Sequence, residues 1–170
     1  MNFKVALIAL GLSGALVGVA QAADNTVSKK ITLTAQINDA LFVSKPDGST
    51  WYGTEELDAT DYMQKKFTKT LPVRVWSTND KFNISLAQPL KMSNGAYEMA
   101  NASVNLGDKA ITHGAPVAVT QTVAGVGGYD QIHNLGINVD APTQSGAVST
   151  NGSYTGDLVM IFEPVAAAEQ

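Results

Sequence analysis

The sequence predicts an all-β domain of the sandwich type, and three observations carry that prediction. Apolar residues recur at every second position through several short segments, which places them on one face of a pleated strand. Clusters of Gly, Asn, Asp, Ser and Pro punctuate those segments at the spacing of a sandwich. The composition agrees: 170 residues suit one domain, 45% of them are apolar, and 15 are glycine.

The first segment is expected to be removed before folding. Lys4 precedes an uncharged run from Val5 to Val19, and Ala20-Gln21-Ala22 follows as a small-residue cleavage site. This is the layout of a secretory signal peptide. A membrane-spanning helix needs about 20 apolar residues, and this run is shorter and interrupted by glycine. Cleavage after Ala22 leaves Ala23–Gln170, with 10 basic against 15 acidic residues once Lys4 is gone.

The mature chain then reads as strands in order. Val27, Ile31, Leu33, Ala35 and Ile37 alternate with polar residues until Asn38-Asp39 breaks the pattern. Thr54–Lys66 fits a turn or two of helix or a loop equally well. Further alternating runs are Phe67, Leu71, Val73 and Val75, then Phe82, Ile84 and Leu86, then Val117, Val119 and Val123, then Ile137 and Val139. In the last run Tyr154, Leu158, Met160 and Phe162 face one way, with Val159 and Ile161 on the other side, so this strand is predicted to be buried on both faces. Turns are expected at Pro46–Ser49, Ser77–Asp80, Ser93–Gly95, Leu106–Asp108, Gly125–Gly128 and Asn151–Ser153. Pro164 cannot donate to a ladder, so residues 164–170 read as a loose tail. The expected organisation is a signal peptide at 1–22, an N-terminal strand at 23–39, a sandwich domain at 40–163 and that tail.

Residues able to carry chemistry are few. A formal charge of −4 argues against a nucleic-acid partner, which requires a basic face. Without cysteine there is no disulfide framework, thiol nucleophile or lipidated anchor. His113 and His133 lie in turn-like surroundings without ligand-spaced partners and read as exposed loop residues. Glu55, Glu56, Asp58 and Asp61 lack the calcium-loop pattern, and Gly125–Gly128 lacks the Lys-Ser/Thr of a phosphate loop. No nucleophile elbow is present. The chain is therefore expected to be no enzyme, to hold no metal and to need no cofactor. Trp51, Tyr52 and Trp76 could stack on a sugar, although core or sheet-face packing explains them as well.

The N-terminal strand leaves two readings open. It is regular, and it stands where termini are usually ragged. Its backbone needs a sheet partner, supplied by its own domain or, through strand addition, by another copy. Burying four or five of its apolar side chains would contribute on the order of 10 kcal/mol, at about 1.5–3 kcal/mol each.

Three stretches decide between these readings by resemblance. Lys29–Asp39 resembles the N-terminal strand of the major pilins of colonisation-factor fimbriae, the alpha-class (class 5) pili built by the alternate chaperone–usher pathway. Val73–Asp80 followed by Phe82–Leu86 is similar to that family's mid-chain hairpin, and Asn151–Met160 to its closing strand. Two stretches depart from the family: Thr112–Gly128 matches poorly, and Glu163–Gln170 runs past the usual end.

The resemblance implies an incomplete immunoglobulin-like sandwich, completed by a donor strand from a neighbouring subunit. It implies Val27, Ile31, Leu33, Ala35 and Ile37 as the donor side chains, and Tyr154, Leu158, Met160 and Phe162 as the wall of the receiving groove. It further implies export through the periplasm to the cell surface. The partners would be other copies in a homopolymeric adhesive fimbria, a periplasmic chaperone, an outer-membrane usher, a tip adhesin and, indirectly, a host receptor. The alternative is a monomeric secreted β-sandwich that binds carbohydrate through Trp51, Tyr52 or Trp76.

Overall fold

The computed structural model describes residues 41–165, and every regular element among them is a β-strand. In chain order these are β1 (Leu41–Ser44), β2 (Asp58–Ala59), β3 (Lys66–Ser77), β4 (Lys81–Leu86) and β5 (Ala100–Leu106). They continue as β6 (Lys109–Ile111), β7 (Val117–Thr120), β8 (Ala124–Gly125), β9 (Gly128–Asp140) and β10 (Met160–Pro164). The expected signal peptide, the donor residues Val27, Ile31, Leu33, Ala35 and Ile37, and the end of the chain beyond Val165 lie outside the described residues.

Two antiparallel sheets form. The larger has the order β1-β3-β9-β5-β6, with β2 also on β3 and β8 also on β9; the smaller has the order β10-β4-β7. The long β3–β9 ladder is the spine: all 12 residues of β3 pair with β9. Along β3, Leu71, Val73, Val75 and Ser77 are buried, while Pro72, Arg74 and Trp76 point outward, as the alternation requires. Phe82, Ile84 and Leu86 of β4 supply the opposing layer, so the core lies between the two sheets.

Pro72 sits mid-strand without breaking the ladder. β1 pairs with Arg74–Ser77 and β2 with Phe67–Thr68, which leaves a gap along that edge of β3. The Pro72 carbonyl turns into the gap and accepts the Tyr52 hydroxyl at 2.6 Å. Its nitrogen lies on the same side, so no bond to β9 is lost.

Several expectations are corrected. Val159 and Ile161 are 46% and 42% exposed, so the last strand is buried on one face and not on both. The cause is its position at the edge of the smaller sheet, whose outer face nothing described covers. Of the two readings left open for Thr54–Lys66 the loop holds: residues 54–65 carry the two-residue β2 without helix, and Lys66 opens β3. Val123 falls outside β7 and is half exposed. The last strand continues to Pro164, opposite Phe82, and the Val165 carbonyl accepts a 3.1 Å bond from Asn79 Nδ2. Pro164 is tolerated there because it ends an edge strand.

Candidate functional site

The site follows from one unpaired edge. β10 pairs with β4 along Phe82–Leu86, and among the described residues no strand pairs with its other edge. An edge of this kind presents a row of backbone N–H and C=O groups ready to accept another strand. Met160 and Phe162 turn inward from β10 and are half-buried against the core. The Phe162 ring lies 6.1 Å from that of Phe82, tilted by 32°.

The chain leading into β10 is extended and held from one side. Ser93 and Thr155 exchange two backbone bonds of 2.9 and 3.1 Å, and Ala87 N–H donates to the Val159 carbonyl at 2.9 Å. Gly156 allows this approach: a side chain there would strike the Lys91 carbonyl and the Met92 backbone. The Tyr154 hydroxyl donates to the Thr150 carbonyl at 2.6 Å and fixes the ring.

Beside this segment runs a groove of about 1100 Å³. Tyr154, Leu158 and Met160 form part of its lining, and Leu71 and Leu135 of the larger sheet lie beneath. A smaller recess of about 260 Å³ adjoins it, lined by Val43, Trp51, Met160 and Phe162. The four residues named as the groove wall are thus brought to the same side of the domain. Sequence reading missed Leu57, Leu90, Met92 and Met99, which also line the groove. Their signal was apolar character in segments with no alternation to claim them.

The aromatic residues do not form a common platform. Trp51 stands at the groove, edge-on to Tyr52 at 5.7 Å and to Phe162 at 6.1 Å. Lys45 Nζ lies 4.9 Å above the Tyr52 ring. Desolvation first, and then the charges of Glu55 and Asp47, raise the Tyr52 phenol above its ordinary pKa. Trp76 is on the outer face of the larger sheet, where its Nε1–H donates to the Val126 carbonyl at 3.0 Å. A carbohydrate site built from these three residues together is not favoured.

His133 corrects another expectation. It lies within β9, is only 9% exposed and meets Phe82 edge-on at 5.6 Å. Turn-like neighbours in the sequence (Asn134 and Gly136) concealed an inward position in a long strand. Its Nε2 has no hydrogen-bond partner among the described residues, and desolvation pushes its pKa below the ordinary imidazole value. His113 is exposed, as expected, and its Nδ1 lies 3.1 Å from the Leu86 carbonyl. In the acidic segment Asp58 pairs with Lys69 at 3.2 Å, and Asp61 Oδ1 accepts the Met63 N–H at 2.8 Å. Neither contact gathers the carboxylates around one point.

On the outer face, Arg74 grips Asp130 through Nε at 2.8 Å and Nη2 at 2.5 Å. That two-pronged pairing holds the Asp130 carboxyl below its ordinary pKa and raises the guanidinium.

Comparison with known proteins adds two findings. A family model described as CS1 type fimbrial major subunit matches residues 27–163. The solved structure of the CooA pilin subunit from enterotoxigenic Escherichia coli matches with a TM-score of 0.53 at 17% identity, covering 75% of this chain and 99% of that one. No curated protein matches the sequence.

Proposed function

The chain belongs to the CS1 type fimbrial major subunit family, and from that premise we propose that it polymerises by donor-strand exchange. It is a structural subunit that associates with copies of itself into a fimbria on the cell surface. In the proposed mechanism the N-terminal strand of one subunit enters the groove of the next and lies along the free edge of β10. Val27, Ile31, Leu33, Ala35 and Ile37 are the donor side chains. Tyr154, Leu158, Met160 and Phe162 form the wall that receives them.

The observation that carries this reading is the apolar groove beside a strand edge that, among the described residues, has no partner. Ladder bonds to β10 would satisfy its edge, and the alternating apolar side chains would fill the groove. An edge of this sort is also an aggregation hazard before assembly. A periplasmic chaperone that covers the groove, and an outer-membrane usher at which the next subunit's strand replaces it, meet that hazard. The signal peptide supplies the route into the periplasm. The adhesive role is exerted through the fibre, with a tip adhesin and a host receptor as outer partners, and without catalysis by this chain.

Deletion of Asn25–Ile37 tests the mechanism. The truncated subunit is expected to fold under chaperone cover and to form no fibres under electron microscopy. Fibres of normal length from the truncated chain would refute donor-strand exchange.

A further inference from the structure

The outer face of the larger sheet carries an apolar patch that the groove mechanism does not use. Phe42 of β1 is opposite Trp76 of β3, which is opposite Asp130 of β9, so the three side chains share one rung and one face. On the next rung of that face, Arg74 is opposite Ile132. Phe42 and Ile132 are 52% and 53% exposed. Val126 is 97% exposed, at the tip of the β8–β9 turn, and its carbonyl holds the Trp76 indole. Apolar groups therefore surround a fixed ion pair on a rigid sheet, an arrangement found at protein–protein contacts.

We infer that this patch docks on a second copy of the chain, the one that receives this subunit's N-terminal strand. The inference rests on the donor-strand reading and adds an argument from chain length. Ile37 is the last donor side chain and Phe42 is five residues later. A fully extended chain spans at most about 3.3–3.6 Å per residue, so the two Cα atoms are no more than about 18 Å apart. With Ile37 seated in the neighbour's groove, Phe42 is tethered within about 18 Å of that seat. β1 also joins the two contacts directly: Val43 turns into the recess next to the groove, while Phe42 faces the other way.

The contact is head-to-tail, so repeating it fixes one rotation and one rise between successive copies and produces a helical fibre. Without it, no contact outside the donated strand would set the angle between successive domains. The donated strand then supplies the link, and the patch supplies the angle.

The test is photo-cross-linking in assembled fibres of the full chain, with a benzophenone amino acid at position 42 and, as a control, at position 138. Asn138 is on the same outer face of β9, six residues and roughly 20 Å from Ile132. Irradiation is expected to give a covalent dimer from position 42 and none from position 138. Absence of the dimer at position 42, or equal yields from both positions, would overturn the inference. A second variant, Phe42→Ser, changes an exposed side chain and is expected to leave polymerisation intact while the fibres lose their regular helical repeat. An unchanged repeat would count against the docking contact. Cross-link failure in fibres that still require Asn25–Ile37 defeats the patch alone; fibres formed without Asn25–Ile37 defeat the donor-strand reading itself.

Discussion

The β3–β9 ladder and the β10 edge show two ways in which one chain treats its strands. In the ladder each of 12 consecutive residues has a partner, and the inward side chains Val73, Val75, Leu135 and Val139 are at most 1% exposed. On β10 the five-residue strand is paired on one side, and its inward side chains Met160 and Phe162 remain half-buried. The first region is finished by residues of its own chain. The second has a wall and a floor but, among the described residues, no cover. Full burial of apolar groups is the main stabilising contribution in a domain, so the difference locates where stability is still to be gained.

The strongest way to break the comparison is to damage what both regions share. Phe82 is fully buried, and its ring lies 6.1 Å from that of Phe162 and 5.6 Å from that of His133. Phe82→Ala is expected to cost about 3–5 kcal/mol by chemical denaturation, whether or not a strand occupies the groove. Equal midpoints for variant and parent would contradict the core described above.

A sharper test separates the regions. Leu158→Ala removes a half-buried groove residue and is expected to cost little in a subunit with an empty groove. Once a donor strand covers the site, the cost should rise to about 2 kcal/mol, as for other buried leucines. Val73→Ala, within the ladder, should cost the same in both states. Denaturation of single subunits and of assembled fibres would show the contrast, and identical behaviour of the two variants would erase it.

Acid should act next, through His133. Its folded-state pKa is depressed, so the folded protein resists a proton that the unfolded chain accepts. The stabilising effect is fully present above about pH 6.5, the ordinary imidazole value, and is lost as pH falls from there toward the folded pKa. Melting temperature should decline across that window, and His133→Leu should flatten the decline. A parent protein with no slope there would show that His133 is protonated without cost. The smallest effect is expected from Arg74→Ala. Its partner is fixed in geometry, but the guanidinium side chain is 40% exposed, and solvent screens surface pairs of this kind so that they contribute little. The same variant should release the depressed pKa of Asp130, observable by carboxyl titration in NMR.

The parts of the fold legible in the sequence were those with apolar alternation on one face. β3 and β4 were read because Leu71, Val73 and Val75, and then Phe82, Ile84 and Leu86, follow it without interruption. β5 was missed because only Val104 and Leu106 carry the signal, behind Ala100, Asn101, Ala102 and Ser103, where the pairing register with β9 also shifts. The first half of β9 was missed because polar Gln131 and His133 stand among its inward positions. The groove wall was named from a resemblance in the closing strand. The groove floor draws on residues far apart in sequence, from Leu57 to Ile137, and no local pattern links them.

The shortness of β1 has a mechanical consequence. In a fibre built by the proposed exchange, tension would enter each domain through β1 and leave through β10. β1 is held to β3 by four residue pairs, whereas β10 is held to β4 by five and β3 to β9 by 12. Of the two ladders on the path of that load, the four-pair one is the shorter, and it is the one expected to yield first. It can peel away and release roughly 13 Å of chain per subunit at about 3.3 Å per residue, while the core stays closed. β1 would then serve as an extensible link that takes up a sudden pull before the sandwich itself begins to open.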